Sequence, residues 1–343
     1  KVTGKSAQDA YNVASAITNN CDALTKDAMQ DVSIMLLDKP TMPKKADASP
    51  SYLLAGLKGG LIGLGVSVLL LIVVAVFRRT ILDKNDVREI LGMDYIAKVP
   101  LVEKRHPNNP GLLLNGSGIK ADFKHSFHNI RIKMEQDHRK NKNSVYMVTS
   151  TVPNEGKTMV SINTAITLGQ KGYKVCLVDL DMRNPSVEKT MRYANIHRTS
   201  LDYIKDEDVN LEQCIVHKDD IDVIFGSDIS VDGSTELSKP RLENLITELR
   251  EVYDFVILDV APLYMMEDAL LVAKYADSAV VVVKQDYAEA GDILDSVDEL
   301  HDTLPHIVGV VLNSYKKTFY SSESSGYGYG YGYGYGYGYG RSK

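Results

Sequence analysis

The chain has 343 residues and a formal net charge of −6, enough length for one large domain or two smaller ones and a balance that gives no support for nucleic-acid binding. Its three cysteines, Cys21, Cys176 and Cys214, make no CxxC and no metal-ligand spacing. They read as reduced thiols or small apolar fillers, not as a disulfide framework. The first residue is Lys1 and not Met, so the chain is read as a fragment of a longer protein.

In chain order, Ala7–Ala28 reads as an amphipathic helix and Asp31–Asp38 (DVSIMLLD) as a strand. Pro40, Pro43 and Pro50 then break regular structure and stiffen the approach to the next element. That element is GGLIGLGVSVLLLIVVAVF, Gly59–Phe77, with no charge and Ser67 as its one side-chain hydrogen-bonder. At about 1.5 Å per residue it nearly spans a hydrocarbon core of about 30 Å, and SYLLAGLK before it adds margin. It is read as a single transmembrane helix, with a buried core helix as the alternative. Lys44, Lys45 and Lys58 precede it and Arg78, Arg79, Lys84 and Arg88 follow, a slight lean towards a cytoplasmic C-terminal side. Asn85–Gly92 reads as a short capped helix and His106–Gly118 as a linker.

From Ser144 onwards, strands alternate with helices. Near-continuous apolar runs at Val145–Val148, Val175–Val178, Val223–Phe225, Phe255–Leu258, Ala279–Val283 and Ile307–Leu312 imply burial on both faces. The expectation is a mostly parallel sheet with flanking helices. Three motifs end three of these strands. PNEGKT (Pro153–Thr158) is a deviant P-loop, with Thr151 where the strict pattern has Gly. Its amides would cradle phosphates, Lys157 would reach the β/γ-phosphates and Thr158 would bind Mg²⁺. VCLVDLDMRNP (Val175–Pro185) ends in two carboxylates, Asp179 and Asp181, which call for a nearby cation. FVILD (Phe255–Asp259) is a Walker B pattern whose acid reaches Mg²⁺ directly or through water. Together they predict an ATP and Mg²⁺ site of a P-loop NTPase of the MinD/ParA-like kind.

The chain ends in GYGYGYGYGYGYGYG, Gly326–Gly340. Glycine is poor in strand interiors, so the tyrosines Tyr327, Tyr329, Tyr331, Tyr333, Tyr335, Tyr337 and Tyr339 are read as lying on a disordered tail with hydroxyls open to chemistry. The bland reading is a low-complexity tail.

From about Ser126 onwards the sequence resembles the bacterial tyrosine kinases (BY-kinases), on PNEGKT, the DxDxR pattern DLDMR, the Walker B VILD and the tyrosine cluster. Upstream, the proline-rich approach, the membrane helix and DVREILGMDYIAKVP (Asp86–Pro100) resemble the C-terminal part of a Wzz-type polysaccharide co-polymerase fused to the kinase. The resemblance implies autophosphorylation of the tail tyrosines, in trans within a homo-oligomeric ring, an octamer being one size. It implies a role in capsular or exopolysaccharide polymerisation and export, and resetting by a tyrosine phosphatase. Asn154, Glu155, Gly156, Lys157, Thr158 and Met159 would hold the nucleotide, and Thr158, Asp181 and Asp259 the metal. Asp179 would accept the tyrosine proton, and Arg183 would pair with phosphate or with an acid of the DLD motif. Asn313 would read the adenine ring, or else cap a strand end.

The expected organisation is an extracytoplasmic fragment (1–50), a transmembrane helix (51–79), a juxtamembrane segment and linker (80–118), a cytoplasmic kinase domain (119–316) and the tail (317–343). Two departures from the family stand out. Its ExxRxxR helix corresponds here to His125, His128 and Arg131, which puts the ring geometry in question, and Asn154 stands where a P-loop often has Gly. Two rivals remain: a MinD/ParA-like membrane-associated ATPase, whose signature lysine would fall at Val152, and a non-catalytic chain-length regulator.

Overall fold

The computed structural model describes residues 2–28, 35, 37–44, 52–77, 79–102, 113–116, 119–194, 196–227, 233–264 and 267–316. The chain divides into two compact units, Lys1–Ala75 and Val76–Lys343. The tail tyrosines lie outside the described residues, as do most of the strand expected at Asp31–Asp38 and most of the linker His106–Gly118.

The first unit holds α1 (Ala7–Ala28) and most of α2 (Tyr52–Phe77). Both ends of α1 agree with the periodicity. α2 is apolar on every side, so it has no polar face to turn to water. Its stretch Tyr52–Val74 is the one helix among the described residues long and apolar enough to cross a membrane, and none of it is buried.

The second unit runs α3 (Lys84–Glu89), β1 (Tyr95–Pro100), α4 (Ala121–Asn141), β2 (Val145–Ser150), α5 (Lys157–Gly169), β3 (Val175–Asp179), α6 (Val187–Met191), α7 (Ser200–Lys205), α8 (Leu211–Cys214), β4 (Ile215–Lys218), β5 (Ile221–Ile224), α9 (Gly233–Leu237), α10 (Pro240–Val252), β6 (Phe255–Asp259), α11 (Glu267–Ala273), β7 (Ser278–Lys284), α12 (Ala290–Thr303) and β8 (Ile307–Tyr315). The strands form one eight-stranded sheet in the order β1-β8-β7-β2-β6-β3-β5-β4, parallel except for β4 against β5. This is the mostly parallel sheet with helices on both faces expected of a P-loop NTPase.

Alternation along each buried strand fills both faces of the sheet. Val145, Met147, Cys176, Val178, Val256 and Leu258 pack in one core with the apolar sides of α7, α10, α11 and α12. Tyr146, Val148, Leu177, Phe255 and Ile257 pack in the other with α4, α5 and α6.

Two strands were not foreseen. β1 lies inside the segment read as juxtamembrane and linker, and β4 in a stretch with no apolar run. Both are edge strands with partly exposed residues, so neither needs the continuous apolar signature of a central strand. Pro100 at the end of β1 is tolerated because no strand pairs beyond it.

Leu82 and Lys316 meet on one loop of the second unit. Gln285 Nε2 donates to the carbonyls of Leu82 (2.8 Å) and Lys316 (3.1 Å), and Lys316 N–H donates back to Gln285 Oε1 at 2.6 Å. Thr80 Oγ1 donates to Asp286 Oδ1 at 2.7 Å. The expected capped helix after α2 is α3, with Asp83 as N-cap accepting the amides of Asn85 and Asp86.

Candidate active site

Three neighbouring strands bring the predicted motifs together. β2, β6 and β3 are consecutive in the sheet, and Asp179 and Asp259 are register partners at their C-terminal ends. After β2 the chain turns through Asn154 (φ 67°) and Gly156 (φ 93°) before entering α5. Both residues tolerate the left-handed region, so Asn154 can occupy the usual glycine position at small cost. Gly156 is the N-cap of α5, with no side-chain cap, and the amides of a helix's first turn have no intrahelical partner.

Lys157 folds back over this edge. Its Nζ lies 2.6 Å from Asp181 Oδ2 and 3.7 Å from Asp259 Oδ2. Thr158 Oγ1 donates to Asp259 Oδ2 at 2.7 Å and lies 2.8 Å from Ser186 Oγ. Ser161 Oγ donates to the other oxygen, Asp259 Oδ1, at 2.9 Å. Asp179 is fully enclosed: Oδ1 accepts the Asp181 amide, and Oδ2 accepts those of Ser186 and Val187 at 3.0 Å each. The acid thus holds the loop that presents Asp181. Ser161 and Ser186 were not singled out from sequence. Ser161, one helical turn beyond Lys157, was the detectable one, because i and i+4 share a face.

Other predicted residues are placed less directly. Asn313, at the end of β8, donates from Nδ2 to the Glu155 carbonyl at 2.6 Å, so it abuts the P-loop. Met159 is half-buried, packs towards the α4 side of the core, and its carbonyl accepts Asn163 Nδ2. Arg183 departs from the pairing expected with an acid of its own motif. It forms a two-pronged pair with buried Asp268 of α11, at 2.6 and 3.2 Å. Asp268 lies far along the chain, and only the fold reveals it. On α4, His128 and Glu135 flank Arg131 at 2.8 and 3.0 Å, and His125 stacks near His128.

The electrostatics call for a further cation. Three buried carboxylates, Asp179, Asp181 and Asp259, face one ammonium. Burial works to lower Lys157, but Asp259 and Asp181 outweigh it and hold the ammonium above its usual range. Burial, then the neighbouring Asp259, pushes Asp179 up to about 8. Burial also raises Asp259, against the pull of Lys157 and its hydroxyl donors. A divalent ion would balance the excess charge. Among the described residues no group of three or more His, Cys, Asp or Glu is arranged to hold a metal alone. Mg²⁺ with a polyphosphate needs only one or two carboxylates, so the donor set fits it. An open cleft of about 710 Å³, lined by Lys124, His125, His128, Thr167 and Gln170, sits at the far end of α5 and takes no part in this arrangement.

These shifts have a measurable consequence. The unfolded chain releases the protons of Asp179 and Glu155 near their ordinary values of 3.8 and 4.5, whereas the fold retains them to about 8 and about 7. The stabilisation is present at low pH and is lost as pH rises through 7 to 8. The thermal midpoint of the nucleotide-free chain is expected to fall between pH 6 and pH 9, by about 2–4 °C for each kcal/mol lost. A midpoint that is flat or rising over that range would show that these acids are already ionised in the fold.

A P-loop NTPase with its Walker motifs on three adjacent strands is the class that this fold and site define. The AAA domain family model matches residues 154–309. The chain is 28% identical over 293 residues to a putative tyrosine-protein kinase in the cps region of Klebsiella pneumoniae, covering 81% of this chain and 39% of that protein. It is 25% identical over 303 residues to the putative tyrosine-protein kinase EpsB of Ralstonia nicotianae, covering 82% and 38%. Among solved structures, the kinase domain of Escherichia coli tyrosine kinase ETK superposes with a TM-score of 0.62 at 24% identity, covering 73% of this chain and all of that one. The first two relatives are named putative tyrosine-protein kinases, and a third, 26% identical over 300 residues, is named tyrosine-protein kinase etk of Escherichia coli. The chain spans about two-fifths of the length of the first two relatives.

Proposed function

We propose that the chain is the membrane-anchored, kinase-bearing part of an ATP-dependent protein tyrosine autokinase. It phosphorylates Tyr327 to Tyr339 in trans within a ring-shaped homo-oligomer, and so regulates polymerisation and export of capsular or exopolysaccharide. The observation that carries this reading is the convergence of Lys157, Thr158, Asp181 and Asp259 at the N-terminus of α5. That is a site for a metal-bound polyphosphate, on a chain that also carries a run of tyrosines. Relatives named as tyrosine kinases support the same class.

In this reading, residues 1–50 are extracytoplasmic, 51–79 cross the membrane, and the kinase and tail are cytoplasmic, where ATP is. A phosphatase reverses the modification, and the polysaccharide polymerase and export machinery is the partner. The amides of 154–159 and Lys157 bind and orient the phosphates, and Asn313 borders the base. Thr158, Asp181 and Asp259 would hold Mg²⁺, which supplies charge neutralisation on the phosphates. The tyrosine oxygen forms the new bond to the γ-phosphorus while the bond to the β–γ bridging oxygen breaks and ADP leaves. The phenol proton passes to an oxygen of the transferred phosphoryl group; Asp179, enclosed and holding its own proton up to about 8, acts instead by fixing the loop that presents Asp181. Positioning carries more of the rate than base strength, because the transition state is loose. Arg183, held by Asp268, orients the loop that carries Asp181.

Val152 is packed against the core, so a lysine-like cation is lacking where a MinD/ParA-type ATPase would have its signature lysine. Reconstituted full chain with Mg-ATP is expected to become phosphotyrosine-positive, and the chain truncated before Gly326 is not. Silence of the full chain, or equal labelling of the truncated one, overturns the proposal. ATP hydrolysis without phosphotyrosine would favour the ATPase instead.

A further inference from the structure

The P-loop carries a carboxylate on its inner side. Glu155 sits between the two left-handed residues Asn154 and Gly156, and is 1% exposed. Its Oε2 accepts the Val152 amide at 2.9 Å, at the start of the loop. Its Oε1 accepts the Lys284 amide at 3.0 Å, at the end of β7. Its carbonyl accepts Asn313 Nδ2 from β8. Lys284 and Asn313 are register partners, so one residue ties the loop to two adjacent strand ends.

A negative group beneath an anion cradle is a poor choice for attracting phosphate. A buried carboxylate is also costly unless its hydrogen bonds are held. Both objections fall if the side chain shapes the loop and leaves the ligand to the backbone. The P-loop here lacks the first glycine of the strict pattern, so its path needs another constraint. Burial raises this carboxyl to about 7, with the amides of Lys284 and Val152 opposing the shift, in keeping with a group enclosed on all sides.

We propose that the Glu155 side chain is a positioning group, a clasp that fixes the P-loop to the end of β7 and sets the spacing of the amides that receive the phosphates, without itself touching the nucleotide. The inference rests on the nucleotide-binding reading above.

The test uses full chain in nanodiscs, titrated with fluorescent Mg-ADP analogue, beside amide hydrogen exchange. Glu155→Gln keeps the shape but turns an N–H₂ towards one of two N–H donors, and is expected to weaken binding about tenfold. Glu155→Ala removes both acceptors and is expected to weaken it about 100-fold. In both variants the amides of Val152 and Lys284 should exchange faster while those of Val145–Val148 in β2 keep their protection, which separates a local release from general unfolding. Wild-type affinity in Glu155→Ala overturns the clasp alone. Weakened binding with unchanged exchange at both amides also overturns it, because Glu155 would then be acting on the ligand itself. Failure of the wild-type chain to bind the analogue sinks the functional reading and the clasp with it. Loss of protection throughout β2 in both variants shows a general structural role and counts against the clasp.

Discussion

In the proposed autokinase, Lys157→Met is expected to lower tyrosine phosphorylation by about 10²–10³-fold or more, because it removes a preorganised charge from the transferring phosphoryl group. The same change should be visible without any substrate. Lys157 is the ammonium facing Asp179, Asp181 and Asp259, and its partners are buried. Breaking a buried pair by deleting one member costs about 3–5 kcal/mol, since the other charge is left uncompensated. The thermal midpoint at pH 8 should therefore drop by about 10 °C. The gap should shrink at pH 6, where Asp179 holds a proton. Lys157→Arg separates the two effects. It retains a cation but not the compact point charge, so stability should largely survive while transfer does not. An active Lys157→Met removes this residue from the chemistry, and an unchanged midpoint shows that the acids need no cation.

Gly156→Ala is the second large effect. Gly156 has φ 93°, a conformation open to glycine and costly for alanine by about 1–2 kcal/mol. A Cβ there would also collide with the Asn313 side-chain amide, which donates to the Glu155 carbonyl. Either Asn313 leaves its partner or the loop shifts away from β8, and in both cases the phosphate amides move. Mg-ADP affinity is expected to fall about 100-fold, since misplacement of about 1 Å is enough for that. Gly172→Ala is the control. Its φ is 96°, but a Cβ there meets nothing within 4 Å. It should lower stability by about 1 kcal/mol through backbone strain and leave affinity alone. Equal affinity losses in the two variants would show that strain is the cause, not the collision with Asn313.

Much of this was legible in the residues. Six strands were readable from apolar runs because central parallel strands are covered on both faces. α1 and α2 were readable because a long uniform pattern leaves little choice of ends. The site was readable because each motif is local: a lysine and a threonine at a helix start, and acids at strand ends.

The local chemistry of Lys157, Asp179, Asp181 and Asp259 was set by sequence alone, since short-range spacing decides which residue ends a strand or opens a helix. Tertiary structure decided which of these groups meet. The order β2-β6-β3 laid Asp259 beside Asp179 across a gap of 80 residues. Folding also matched Arg183 to Asp268, seated Asn313 against Gly156, and turned Glu155 inwards onto Lys284. It recruited β1 and β4 as edges as well. None of those pairings has a periodicity to betray it. They depend on strand order and on the enclosure of polar groups that must find partners once water is excluded.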